Sequence, residues 1–309
     1  MTEGRPVLAG SAHVFQSERA SQTPQCPAKR GLNTLTAIGR YVWMHVGARH
    51  APTVGWSARA ADPRVVISLT TTPSRITRLG PTLRSLLTQD YPLTAVYLAV
   101  PRHSVRENRT YTVPAVLARH PTISILDSER DWGPATKLLP MLRAERERPE
   151  TLVIAVDDDN VYPREMVSTF VRWSSTLPDA ALCFRGWRVP SSGRWRDGRA
   201  VFGTRVDAPT PMDVITGCGG ILVKPRFFDA AVFDYDAAPR SAFFVDDIWI
   251  SGHLARRRIP RYVIPSPAVF VYLPALTAWR TRGLDQTENG PDGRHNDVML
   301  DYFRSAWGA

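Results

Sequence analysis

The stretch Thr151-Leu152-Val153-Ile154-Ala155-Val156-Asp157-Asp158-Asp159 decides the fold class of this chain. A short, continuous apolar run rich in β-branched residues reads as a strand buried on both faces. Its carboxylates then emerge at the strand's C-terminal edge, where open α/β sheets hold their ligands. Three adjacent negative charges repel one another and weaken an ordinary turn. A divalent cation removes that penalty, and carboxylate oxygens are the preferred ligands of Mg²⁺ and Mn²⁺. The same residues, with Asn160 and Pro163 behind them, also suit a solvated acidic turn, because Asp and Asn fill turns readily. The triplet by itself leaves both readings open.

The flanking pattern supports the strand. Residues 65–70 (Val-Val-Ile-Ser-Leu-Thr) read as a first buried strand, with Thr71-Thr72-Pro73-Ser74-Arg75 as its turn and a helix over 79–87. Further strands are expected at 95–100 and 123–126, and a helix over 135–146 leads into the strand at 152–156. Strands alternating with helices imply a mostly parallel sheet covered on both faces. The second half predicts a helix over 167–173 and another over 248–257. It adds short strands at 181–184, 221–223 and 262–264, a loop-rich excursion over 188–211 and a polar tail over 284–295.

Ahead of the sheet, residues 1–30 are polar and aperiodic and are expected to be a disordered tail. Residues 31–63 hold a helix and a lead-in, and the main domain spans 64–309. In the helix, Leu32, Leu35, Ile38, Val42 and Val46 can share one face, widened by Trp43 and Met44. Such a helix packs on the main domain, or makes a peripheral membrane or partner contact through residues 32–46.

The 309 residues are 43% hydrophobic, enough for a substantial core, with no run long enough for a membrane-spanning helix. No secretory signal is visible, and the three scattered cysteines, Cys26, Cys183 and Cys218, suggest neither a disulfide framework nor a zinc cluster. The expected location is therefore cytoplasmic, with peripheral contact at the inner membrane face as a variant. The net charge of +10 is carried almost wholly by arginine, since Lys29, Lys137 and Lys224 are the only lysines. Arginine favours phosphate and carboxylate partners. The chain has no helix-turn-helix, RNP-like or zinc-finger signature, so nucleic acid is not expected as a partner.

Four further segments carry chemistry. Asp131-Trp132-Gly133-Pro134-Ala135-Thr136-Lys137 opens a helix with a Gly-Pro step and a nearby cation, a ready anion site. Thr216-Gly217-Cys218-Gly219-Gly220 permits close backbone approach to a ligand. Phe243-Phe244-Val245-Asp246-Asp247 brings a second acidic pair to the start of a helix, where a carboxylate also serves as a cap. His295 sits in the polar tail, with His253, Arg280 and Arg282 as rival ligands for metal or phosphate.

A buried strand ending in Asp157-x-Asp159, with these pieces in this order, resembles the GT-A fold glycosyltransferases, in particular glycosyltransferase family 2, over about residues 64–297. The resemblance implies a Rossmann-like α/β/α sandwich with a mixed, mostly parallel central sheet. It implies transfer of a sugar from a nucleotide-diphosphate donor (UDP-, GDP- or dTDP-linked) to an unknown acceptor hydroxyl. In that scheme Asp157, Asp159 and His295 hold Mn²⁺ or Mg²⁺. Thr70, Thr72, Arg75, Asp131, Lys137, Asp158, Gly219 and Gly220 bind the nucleotide-sugar. Asp247, aided by Asp246, is the base of an inverting displacement. The pair is Asp-Asp where the family favours Glu-Asp. No Q-x-x-R-W motif follows, only Trp279-Arg280, which speaks against a processive synthase. A metal-dependent nucleotidyltransferase is the alternative enzyme, disfavoured because residues 70–75 lack glycine. A basic protein binding nucleic acid or anionic lipid is the non-enzymatic one.

Overall fold

The computed structural model describes residues 27–46, 63–266, 273–276 and 294–307. Its centre is the pair expected from sequence. Strand β1 (Val65–Leu69) and the strand ahead of the acidic triplet lie side by side and parallel, Val65 opposite Leu152 and Leu69 opposite Val156. Every residue of both is buried. In chain order the main elements are helix α1 (Pro27–Val46), β1, α2 (Gly80–Leu87), β2 (Ala95–Pro101), β3 (Ile123–Ser128), α3 (Leu139–Ala144) and β4 (Leu152–Val156). They continue with α4 (Met166–Thr176), β5 (Ala181–Cys183), β6 (Thr210–Pro211), β7 (Ile221–Val223), α5 (Asp246–Arg256), β8 (Arg261–Val263) and α6 (Arg294–Tyr302).

The eight strands form one sheet in the order β6-β8-β5-β7-β4-β1-β2-β3. From β4 through β1 and β2 to β3 all pairs are parallel. Strand β7 then runs antiparallel to both β4 and β5. The period-two alternation of strand side chains divides the core into two layers. Val65, Ile67, Leu69, Leu152, Ile154 and Val156 point to the side covered by α2 and α4, with Leu83, Leu86, Tyr162 and Phe170. Val66, Val153 and Ala155 point to the other side, covered by α3, α5 and α6, with Leu139, Trp249 and Phe303. Helices on both faces of a mixed sheet make this a Rossmann-like α/β/α sandwich.

Several expectations are corrected. The excursion over 188–211 is no plain loop. Arg185–Arg188 pairs antiparallel with Arg199–Phe202 and with Val214–Ile215, a small second sheet whose Arg199–Phe202 strand lies within the stretch read as loop while the other two flank it. The helix expected over 135–146 is split into a 3₁₀ turn, Gly133–Lys137, and α3. His295 belongs to α6, which packs Met299 and Leu300 into the core, and not to an irregular tail. The backbone of α1 starts at Pro27, within the stretch read as a tail. It docks through fully buried Met44 against Val161 and Ala275, and Arg40 donates to Thr88 Oγ1 at 2.9 Å. The tail over 1–26, most of the lead-in and Trp279, Arg280 and Arg282 lie outside the described residues.

Gly252 of α5 meets Phe303, the residue that follows α6. A Cβ there would collide with the Phe303 ring, and that ring is fully buried among Trp249, His253 and Tyr302. Gly252→Ala should therefore lower the thermal unfolding temperature. The overpacking penalty of about 1–3 kcal/mol outweighs the ~1 kcal/mol gain in helix propensity. A rise in stability would show that α6 yields at this contact.

Candidate active site

A cleft of about 670 Å³ opens at the C-terminal ends of β1 and β4. The acidic triplet forms its floor, and the turn that follows β4 divides the three side chains between Lys137 and Arg75. Asp157 Oδ1 pairs with Lys137 Nζ at 2.6 Å on the α5 side. Asp158 turns toward β1, where its Oδ1 is 2.6 Å from Arg75 Nη2 and its Oδ2 accepts from Thr71 Oγ1 at 2.5 Å. Asp159 Oδ2 takes the same Arg75 nitrogen at 2.8 Å, and its Oδ1 accepts from Asn160 Nδ2. The turn is fixed by the buried Tyr162 hydroxyl, which accepts from Asp157 N and donates to Asp157 O.

Lys137 was expected on a donor phosphate. In this structure it is 4% exposed and holds Asp246 Oδ2 at 2.8 Å as well as Asp157. Burial opposes its charge, but Asp157 and Asp246 outweigh that and keep the ammonium protonated well above the ordinary lysine range. The cap reading of Asp246 is replaced. Val245 is the N-cap, no side chain caps α5, and Asp246 spends its carboxylate on Lys137. Asp247 Oδ1 accepts from Gly217 N at 2.8 Å. Burial, then the neighbouring Asp246 charge, push Asp247 up to about 7. Burial similarly raises Asp158 to about 6 against the pull of Arg75.

The structure brings Thr70, Thr72, Arg75, Asp131, Lys137, Asp157, Asp158, Asp159, Asp246 and Asp247 to this one cleft. Thr70 Oγ1 donates to Ala99 O, and Thr72 Oγ1 sits 3.2 Å from Ser74 Oγ. Asp131 already fills the anion site read at Gly133: its Oδ1 accepts from Gly133 N and its Oδ2 from Val105 N. Gly219 and Gly220 do not reach the cleft. Their missing side chains would meet Phe184, and Phe170 and Met166, on the core side. Gly220 needs its glycine for another reason, a φ of +86°. His295 stays out of the cleft lining, with Nδ1 2.9 Å from Ser241 Oγ and its ring stacked on Phe244, while its neighbour Asn296 lines the wall. His253 is a core histidine, packed on Trp249 and Phe303, and burial holds it down at about 4.

Sequence reasoning named the segments that hold Gly217 and Thr71 without giving either a role, and gave none to Tyr111 or Trp195. A Cβ on Gly217 would lie 2.5 Å from Lys137 Nζ, so only glycine lets the ammonium sit between its carboxylates. Tyr111 donates to Thr71 O at 2.7 Å and closes one side of the cleft. Trp195 stacks on Trp187, centroids 4.5 Å apart, and lines the other. The Thr-Thr-Thr and glycine clusters and, for Trp195, the long excursion over 188–211 were the available signals; Tyr111 had none. Cys218 lines the cleft with its thiol raised by burial and 3.2 Å from Arg185 Nη1, which gives no thiolate for nucleophilic use.

A divalent cation fits the charge balance, since five carboxylates converge here on Lys137 and Arg75. Asp157 and Asp159 are 29% and 31% exposed toward the cleft, against 10% for Asp158, so the outer pair could hold the ion. No three His, Cys, Asp or Glu side chains among the described residues converge as a ready cage. Remaining ligands would then come from water and substrate phosphate, the usual manner for Mg²⁺.

No protein-family model and no curated protein matches the chain. Among solved structures, the chain is similar to S. aureus TarS, residues 1–349, at 15% identity and a TM-score of 0.36, over 79% of this chain and 71% of that one.

The raised carboxyl of Asp247 sets a sign for pH. Its pKa is about 7 folded against about 3.9 for an unperturbed Asp. The folded state binds the extra proton between those values, so stability from this group is present at low pH and is lost as pH rises through 7. In thermal unfolding of the metal-free protein, Asp247→Asn should gain on wild type steadily from pH 4 to 7.5. A constant difference across that range would place the raised pKa elsewhere.

Proposed function

We propose that the protein is a metal-dependent glycosyltransferase that moves a sugar from a nucleotide-diphosphate donor to an acceptor hydroxyl with inversion. One observation carries the reading: Lys137 ties the outer carboxylate of the strand-end triplet to the acidic pair at the start of α5, so a metal-binding edge and a candidate base face one cleft. Asp157 and Asp159 would hold Mn²⁺ or Mg²⁺, which supplies charge neutralisation on the diphosphate. Arg75, held by Asp158 and Asp159 at the cleft, would add a cationic donor on the phosphate side, while Lys137 stays the buried counter-ion of Asp157 and Asp246.

The Gly217 amide fixes Asp247 through Oδ1 and leaves Oδ2 for the acceptor. A carboxyl near 7 suits a base working at neutral pH. The acceptor O–H gives its proton to Asp247, and its oxygen forms a bond to the anomeric carbon. The bond from that carbon to the diphosphate oxygen breaks, and the nucleoside diphosphate leaves with the electron pair. A single displacement inverts the configuration. Thr70, Thr72 and Tyr111 at the β1 edge suit the nucleoside end, and Trp195 and Phe244 suit the faces of sugar rings. Which nucleotide and which sugar are answered by thermal shift with UDP-, GDP- and dTDP-sugars, with and without Mn²⁺.

Calorimetric titration should show metal-dependent donor binding that Asp157→Asn and Asp159→Asn each weaken severely, and Asp158→Asn less. Undiminished nucleotide affinity in the two outer variants at saturating metal would sink the metal role. Asp247→Asn should lower transfer by roughly 10²–10⁴-fold, the usual contribution of a general base, with donor affinity nearly unchanged. Product of retained anomeric configuration would defeat the single displacement even if Asp247 proved essential.

A further inference from the structure

Helix α1 docks on the domain by the wrong face for an ordinary amphipathic helix. Met44 points inward with no exposure, beside Arg40 and Tyr41, whereas Leu35, Ile38, Val42 and Val46 are 67%, 48%, 50% and 80% exposed. Their spacing of three, four and four residues draws one apolar stripe opposite Met44, and Trp43, 41% exposed, stands at its margin. The stripe lies in a segment of one charge sign. From Arg19 to Ala61 the sequence has no Asp or Glu and, besides the inward-docked Arg40, carries Arg19, Lys29, Arg30, Arg49 and Arg59.

We propose that this outward face of α1 seats the protein on an anionic lipid bilayer surface, the apolar stripe entering the headgroup–acyl boundary and the basic segment meeting lipid charge. An apolar stripe with an aromatic margin and basic flanks is the chemistry of an interfacial helix. The negative leaflet supplies the complementary charge. A second copy of the chain fits less well. It would oppose one basic segment to another, and the stripe is far smaller than the roughly 20–30 residues a side of a standard protein interface. The anchoring contacts of Arg40 and Met44 leave the stripe in place when the domain is folded, so seating needs no rearrangement of the cleft.

The test is co-sedimentation of the full chain with phosphatidylglycerol-containing vesicles against pure phosphatidylcholine vesicles, at low and high salt. Wild type should bind the anionic vesicles, lose binding in 0.5 M salt and ignore neutral ones. Leu35→Gln, Ile38→Gln and Val42→Gln together keep good helix formers and should weaken partition at least ~10-fold, since each fully buried apolar side chain carries about that factor or more. Their unfolding temperature and nucleotide-sugar binding should stay at wild-type levels. Equal sedimentation of wild type and triple variant overturns the proposal. So does a wild-type dimer in light scattering that the triple variant turns into a monomer without any vesicle binding by either.

Discussion

The buried ammonium of Lys137 is the contact on which the cleft depends. It stands where β4 ends and α5 begins, two elements far apart in the chain, and it is their shared counter-ion. Charges so far from water are tolerated only in pairs. Removing one partner of a buried pair leaves an uncompensated charge, a loss of about 3–5 kcal/mol. Each neighbour of Lys137 is shaped to this demand. Gly217 withholds a side chain that would collide with it, the Tyr162 hydroxyl fixes the backbone of Asp157, and the Gly217 amide turns Asp247 away to a role of its own.

The fold was largely legible because its central strands allow one reading. Five consecutive buried residues at 65–69 and again at 152–156 cannot face water on either side, so they had to be inner strands of a covered sheet. The acidic triplet was legible for the same reason, since a charged run cannot continue such a strand. The small sheet of Arg185–Arg188, Arg199–Phe202 and Val214–Ile215 was not, because its strands are two to four residues long, the first mixes arginine with glycine, and their order comes from pairing across the intervening chain.

Within the site, residue types were legible and their partners were not. A lysine after Gly-Pro looks the same in sequence whether it faces a ligand or a buried carboxylate; only the approach of Asp246, far along the chain, decides. The glycine cluster shows the same limit. Sequence marks 217–220 as permissive backbone, but which glycine faces the charge and which faces Phe170 follows from the turn's φ of +86° at Gly220. The apolar stripe of α1 was found by period alone, and the period could not tell which side of the helix would meet the domain.

Strand β7 runs against its neighbours, and this reversal changes what the sheet can present. A parallel strand offers its final residues to the cleft, and in β4 those are side-chain acids. An antiparallel strand offers its entrance there, so the incoming Thr216–Gly220 turn meets the cleft through the Gly217 amide and the protonated thiol of Cys218. One edge of the cleft is therefore built from carboxylates, and the other from an amide and a thiol that burial keeps neutral. Substitutions on the first edge change charge and must answer to Lys137, while the Gly217 amide of the second answers only to changes in backbone path.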